Sequence, residues 1–322
     1  KIFAVLYNHL IILYCFSVLN KESRLSDSSN SVIITFYKYT RIENPEEFQP
    51  VLLNFCLQEE IKGKIYLAFE GINGSVSGDH KKIEIFKSYL QSFPFIGEVI
   101  FKEDPVFGIC HEKMFVRVRR ELVNSGARDI DLSLGGKRLS PEGLLKLYEE
   151  GKEFVIIDTR NWYESKIGRF KNAVIPPIEN FREWPEYVDQ IDALKDKTVI
   201  TYCTGGIRCE KASAVMVEKG FKDVYQLDGG IVSYLHKFPD TFWEGGMFVF
   251  DNRRVVEVNT KEELKHVATC HYCNQPTSKY INCHNLKCDK IFVCCEECRK
   301  THDYSCSDEC KTSSTRRSRY YD

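Results

Sequence analysis

Apolar and polar positions along this chain change rhythm twice. Residues 31–39 (Ser-Val-Ile-Ile-Thr-Phe-Tyr-Lys-Tyr) and 63–69 are dense in β-branched and aromatic side chains and predict strands. Between them, 45–60 carries apolar residues near helical spacing behind Pro45 and predicts a helix. A turn at 70–74 starts a third strand, 81–92 returns to helical spacing, and 114–119 (Met-Phe-Val-Arg-Val-Arg) predicts a closing strand. The order β-α-β-β-α-β predicts an α+β, ferredoxin-like domain over residues 32–131, with two helices on one face of the sheet.

The second rhythm begins at Ser140, where a serine cap, Pro141 and a leucine stripe predict a helix to about residue 150. Strand and helix patterns then alternate to about residue 234. They predict an α/β domain with a mostly parallel sheet, assigned to residues 132–245. The continuous apolar runs 154–158 and 197–202 read as buried strands, 212–218 as a helix packed by one face, and 245–255 as a connecting strand.

Cys203 stands where the second apolar run ends and a helix is about to begin. The loop Thr204, Gly205, Gly206, Ile207 is flexible enough to bend tightly around a bound group. Its amides, the first helical turn and Arg208 direct positive charge at the sulfur, which favours the thiolate and suits the loop to anions. In a parallel sheet this is also the strand end where ligands bind. Cys209, six residues on, is able to resolve an oxidised Cys203, but within a helix it reads as a packing residue. The run 154–158 ends in Asp158 and continues to Arg160, a second charged pair at a strand end.

Net charge is −1, so there is no global polyanion signature, and nothing in the sequence points to DNA. Nine of the 14 cysteines crowd into residues 270–310. They form the pairs Cys270/Cys273, Cys283/Cys288, Cys295/Cys298 and Cys306/Cys310, with Cys294 spare. An exposed, reactive Cys203 requires a reducing, cytoplasmic setting, so the cluster reads as a zinc-binding module at 246–312 holding two structural ions. His271, His284 and His302 are alternative ligands, and the spacing leaves open whether the pairs are sequential or cross-braced. Residues 1–31 form an apolar and then serine-rich extension. It approaches the length of a membrane span, but Asn8 and His9 weaken that reading, and no membrane anchor is assigned. Residues 313–322 read as a disordered basic tail that touches RNA. Oligomeric state is not legible.

Two further groups suggest substrate contacts. Glu70 and Asn73 stand among glycines in the 70–74 turn, although an ordinary tight turn explains that pattern as well. Arg117 and Arg119 share one strand face and Arg120 extends the cluster, either as a solvated edge or as a phosphate-contacting patch.

The loop from Tyr202 through Ser213, with Asp158-Thr-Arg160 and the later Gln226-Leu-Asp-Gly-Gly-Ile231, resembles rhodanese domains; Arg169 replaces the histidine common there. Taken with Leu67-Ala-Phe-Glu-Gly-Ile-Asn-Gly74 and Cys270-His-Tyr-Cys273, the chain resembles the rhodanese-containing tRNA uridine hydroxylases, which form 5-hydroxyuridine at position 34. The resemblance implies an acylphosphatase-like first domain and dioxygen-dependent oxidation of a uracil in the tRNA anticodon loop. It also implies an essential loop cysteine, by position Cys203, and Arg208, Asp158 and Arg160 are assigned with it to the catalytic set. No flavin, haem or non-haem iron motif is visible. One alternative is a sulfurtransferase carrying a persulfide on Cys203. The other is a non-catalytic zinc-dependent interaction protein, against which the intact Cys203 and Arg208 argue.

Overall fold

The computed structural model describes residues 31–106, 108–127, 129–261 and 265–318. The apolar stretch at the start of the chain and the residues after 318 lie outside the described residues. Among those described, no helix is long and apolar enough to cross a membrane. Two units divide the chain after Leu122.

The first unit runs β1 (Ser31–Tyr39), α1 (Pro45–Gln58), β2 (Lys62–Ala68), β3 (Gly71–Asp79), α2 (His80–Gln91), β4 (Phe101–Pro105) and β5 (Met114–Val118). Its sheet has the order β4-β1-β3-β2-β5. The first four strands make the expected ferredoxin-like arrangement, but its closing strand is β4, not 114–119. β5 is a fifth strand, paired parallel to β2 at the opposite edge. The reason β4 escaped sequence reading is its content: Phe-Lys-Glu-Asp-Pro is an edge strand protected by charge and proline, with one apolar residue. Alternate residues of the strands (Val32, Ile34, Phe36; Ile65, Leu67; Ile72, Val76; Met114, Val116) share one core with Phe48, Leu52 and Cys56 of α1 and Ile83, Phe86 and Leu90 of α2. Both helices therefore cover one face, and the Phe55 and Tyr89 rings stack between them with centroids 3.7 Å apart.

The second unit begins with residues that the sequence reading gave to the first: Val123, Ala127 and Ile130 pack into its core. It continues through β6 (Lys137–Leu139), α3 (Pro141–Glu149), β7 (Val155–Asp158), α4 (Trp162–Ile167), β8 (Gly168–Phe170), α5 (Trp184–Val188), β9 (Thr198–Tyr202), α6 (Ile207–Glu218), β10 (Asp223–Leu227) and α7 (Gly230–Lys237). β6, β10, β9 and β7 form a wholly parallel sheet in that order. Neighbouring residues on a strand face opposite ways: Ile156, Ile200 and Tyr202 pack with α3 and α7, while Ile157, Val199 and Val224 pack with α5 and α6. Coverage on both faces explains the unbroken apolar runs.

The predicted connecting strand at 245–255 is instead three short pieces. β11 (Trp243–Gly245) pairs with β8, while β12 (Met247–Phe248) pairs with β13 (Val255–Val256). The cysteine-rich region is built on an antiparallel hairpin, β14 (Tyr280–Asn282) and β15 (Ile291–Val293), followed by α8 (Glu296–Thr301) and α9 (Asp308–Lys311). Tyr280 and Val293 of the hairpin pack with Tyr163 and Ile167 of α4. The predicted disordered tail is ordered where it is described. Arg316 donates to Ser305 Oγ at 2.9 Å and to the Cys310 and Lys311 carbonyls at 2.8 Å, and Arg317 pairs with Asp289.

Candidate functional site

β9 ends at Tyr202 and α6 starts at Ile207, so Cys203, Thr204, Gly205 and Gly206 span a strand end and a helix N-terminus. Gly206 turns the chain with φ +101°, a left-handed conformation that favours glycine. The first turn of α7 holds the loop from behind: Ile231 N–H donates to the Cys203 carbonyl at 3.0 Å and Val232 N–H to that of Thr204 at 3.1 Å. The contact demands Gly230, because a Cβ there would lie 2.4 Å from the Cys203 carbonyl oxygen.

Cys203 is fully buried, which corrects the expectation of an exposed sulfur. Its Sγ accepts the Gly206 N–H at 3.1 Å. Burial pushes the thiol up. The Cys209 thiol, the Arg208 charge and the Arg208 and Gly206 amides outweigh it and bring the Cys203 pKa down to about 6. The half-buried members of the loop are Thr204, Gly205 and Ile207, which therefore form its contact with the outside. Thr204 Oγ1 is buried without a partner among the described residues, a polar group that a bound molecule would satisfy.

Arg208 directs its charge at the sulfur, as the sequence suggested, while its guanidinium is held elsewhere. Its guanidinium makes a two-pronged bond to Glu164, at 2.6 and 2.8 Å, with Glu164 wholly buried. Glu164 also caps α4, accepting from Asn161 N–H at 3.0 Å. Arg208 thus helps the thiolate through its charge and backbone amide while a carboxylate fixes its position. From the sequence alone Glu164 carries no assigned role; the separation of 44 residues hid the pair.

Asp158 and Arg160 bind each other, with Arg160 Nε 2.9 Å and Nη2 2.6 Å from the carboxylate, and Nη2 also donates to the Gly168 carbonyl at 2.6 Å. The guanidinium lies over the rings of Tyr202 and Trp243, at 5.7 and 5.4 Å. At 0% and 1% exposure they form a buried charged pair at the end of β7, beside the loop. Cys209, read as packing, is buried on the first turn of α6 with its sulfur 3.8 Å from Thr159 Oγ1, and its thiol donates to Cys203. The Cys-x5-Cys spacing was the available signal.

In the first unit, Glu70 accepts the Leu122 N–H at 2.6 Å and so anchors the unit's own chain. Asn73 lies on β3 in register with Tyr37 on β1 and Tyr66 on β2, and Tyr66 is in register with Arg117 on β5. This row crosses the sheet face opposite α1 and α2. The Arg117 guanidinium lies 4.9 Å from the Phe115 ring, Arg119 5.5 Å from Tyr66, and the Lys102 ammonium 5.5 Å from Tyr37. Arg117, Arg119 and Arg120 are exposed.

The cysteine pairs are cross-braced. Cys270, Cys273, Cys295 and Cys298 form one group of four sulfurs and Cys283, Cys288, Cys306 and Cys310 another, each with all sulfurs within 4.8 Å of one another. The hairpin explains the pairing: residues entering β14 and leaving β15 meet at one end, and the turn between the strands meets α9 at the other. Metal–sulfur bonds of about 2.3 Å in a tetrahedron put sulfurs about 3.8 Å apart. Cys273–Cys295 measures 3.8 Å, Cys288–Cys306 3.6 Å and Cys306–Cys310 3.8 Å, so both groups fit a tetrahedral ion. The histidines and Cys294 stand outside both groups; His302 stacks on Tyr272 and His284 on Tyr304.

Three family descriptions match the chain: a UPF0176 acylphosphatase-like domain over residues 31–122, a rhodanese-like domain over 140–237 and a rhodanese C-terminal region over 244–311. A rhodanese-like domain protein of known structure from Staphylococcus aureus is 23% identical, covering 30% of this chain and 90% of its own, with a TM-score of 0.27. A Bacillus cytotoxicus protein named tRNA uridine(34) hydroxylase is 41% identical over 286 residues, 87% of each chain. Its namesake from Bacillus cereus strain B4264 is 41% identical over 288 residues, 87% of this chain and 89% of that one. By that identity over that length, the chain belongs to the tRNA uridine(34) hydroxylase family.

Proposed function

We propose that this protein hydroxylates C5 of uridine 34 in the tRNA anticodon loop, with dioxygen as co-substrate and Cys203 as nucleophile. The observation that carries the reading is the sulfur itself, brought down to about 6 inside a cradle of amides, in a chain of this family. At neutral pH such a sulfur is a thiolate. Addition of a thiolate at C6 of uracil breaks the ring's conjugation and leaves C5 an enolate carbon, able to form a bond to oxygen. An anticodon base suits a buried nucleophile because it is splayed from its loop without breaking a duplex, and it would enter past Thr204 and Gly205.

The first unit supports the tRNA reading through the row of tyrosines and arginines on its sheet. Tyrosines offer stacking surfaces for unpaired bases, and Arg117, Arg119 and Arg120 offer phosphate contacts. Asn73 lies in the same row; Glu70 supports the turn. The two four-sulfur groups would hold zinc, whose contribution is to fold the module. The setting that keeps these thiols reduced is the cytoplasm.

Nucleoside mass spectrometry of tRNA from cells whose only copy is wild type or Cys203→Ala tests the proposal. The expected result is loss of 5-hydroxyuridine in the variant, with tRNA binding retained. Equal 5-hydroxyuridine in both overturns it, and disappearance of a thiolated nucleoside instead would replace it with sulfur transfer.

A further inference from the structure

We infer that Cys203 and Cys209 act as a dithiol that supplies the two electrons each hydroxylation consumes, closing to a disulfide as the product forms. The inference rests on the hydroxylase reading. Placing one oxygen of O2 in a C–H bond and releasing the other as water requires two electrons and two protons beyond those of the substrate. Two thiols that become a disulfide release two electrons and two protons.

The structure brings the required groups together. Cys203 and Cys209 are both wholly buried and share one residue of the loop: the Gly206 N–H donates to Cys203 Sγ at 3.1 Å, and the Gly206 carbonyl accepts the Cys209 N–H at 3.0 Å. Their environments divide the labour. The amides of Gly206 and Arg208 favour an anion at Cys203, while burial and the neighbouring Cys203 push Cys209 far up, so that it keeps its proton. Thr159 Oγ1, 3.8 Å from Cys209 Sγ, helps fix the second sulfur. When Cys203 has become a sulfenic acid, the proton kept by Cys209 can pass to the departing hydroxyl as the Cys209 sulfur attacks.

The steps balance. Dioxygen adds at C5 to give a C5 hydroperoxide, with the C5 hydrogen retained on the new group, and Cys203 leaves C6. The Cys203 thiolate then attacks the distal oxygen. The O–O bond breaks, the oxide left on C5 takes up the proton that Cys203 lost on ionising and becomes a hydroxyl, and Cys203 becomes a sulfenic acid. Cys209 attacks that sulfur; the S–O bond breaks, an S–S bond forms, and the thiol proton leaves with the hydroxide as water. The sum is uridine, dioxygen and two thiols giving 5-hydroxyuridine, water and one disulfide. A thiol from outside must reduce the disulfide before the next cycle.

The test is a single turnover with the full chain, reduced, freed of thiol under nitrogen, and mixed with one equivalent of tRNA bearing unmodified uridine 34. Air is admitted, free thiols are alkylated, and nucleosides and peptides are measured by mass spectrometry. The expected result is about one 5-hydroxyuridine and about one Cys203–Cys209 disulfide per chain. Cys209→Ser should give at least about tenfold less product without thiol and recover with dithiothreitol. Product from wild type with both cysteines still alkylatable overturns the inference, whether or not the variant folds. So does an equal rate of disulfide formation without tRNA, or full single-turnover product from Cys209→Ser without thiol. No 5-hydroxyuridine from wild type even with dithiothreitol overturns the hydroxylase reading itself.

Discussion

Replacing Cys209 by alanine removes one hydrogen-bond donor from the Cys203 sulfur and leaves the Gly206 and Arg208 amides in place. Hydrogen bonds to charged groups contribute about 1.5–3 kcal/mol, and a thiol is a weak donor, so the low end applies. At about 1.4 kcal/mol per pKa unit the loss amounts to about one unit. The Cys203 pKa, about 6 in the native protein, should rise to about 7 in the variant. The thiolate fraction at pH 7 should then fall from about nine-tenths to about one-half. The rate of Cys203 alkylation by iodoacetamide, followed on its own peptide across pH 4–9, reads this directly. Burial slows the reagent at every pH alike and leaves the midpoint where ionisation puts it. The native midpoint should lie near 6, with the variant displaced upward. Coincident midpoints would refute the role given to Cys209, and a native midpoint near the ordinary thiol value of about 8.5 would refute the cradle as a whole.

Freshly purified protein should contain about two zinc ions per chain; Cys270→Ser and Cys283→Ser should each release about one, and metal-free protein by elemental analysis would defeat the assignment. Glu164→Gln leaves a buried guanidinium without its carboxylate and should cost about 3–5 kcal/mol in urea unfolding; a loss under about 1 kcal/mol would show the pair to be incidental. Arg117→Ala should weaken tRNA binding and flatten its dependence on log salt by about one unit, and an unchanged slope would remove Arg117 from the phosphate contacts. Gly230→Ala forces a Cβ against the Cys203 carbonyl at φ +66° and should lower both stability and activity, measured by melting and by nucleoside analysis.

What the sequence revealed and what it hid follow from range and from burial. β7 and β9 were legible because a strand covered on both faces is apolar throughout, and Cys203 was placed by the strand and helix on either side of it. Metal capacity was legible because ligand pairs are local in sequence. Their cross-bracing was not, since it depends on how a three-residue hairpin folds back. β4 was missed because an edge strand needs only backbone partners, which Lys102, Glu103 and Asp104 supply as well as valine would. Glu164 escaped, and Cys209 was read as packing, for a different reason. A buried carboxylate or thiol takes its meaning from the atom it faces, and those atoms sit on elements brought near only by folding. Arg316 was misread because a cluster of exposed-type residues resembles a tail until carbonyl acceptors converge on it.

The cross-braced module also sets an order of events during synthesis. Its first group of sulfurs is incomplete until Cys298 has been made, and its second until Cys310. The hairpin between them is what presses Val293 and Tyr280 onto α4, the helix that carries Glu164 and through it Arg208. A nascent chain should therefore carry the Cys203 loop well before the buttress behind its arginine exists, and full reactivity at that sulfur should await the last ligands.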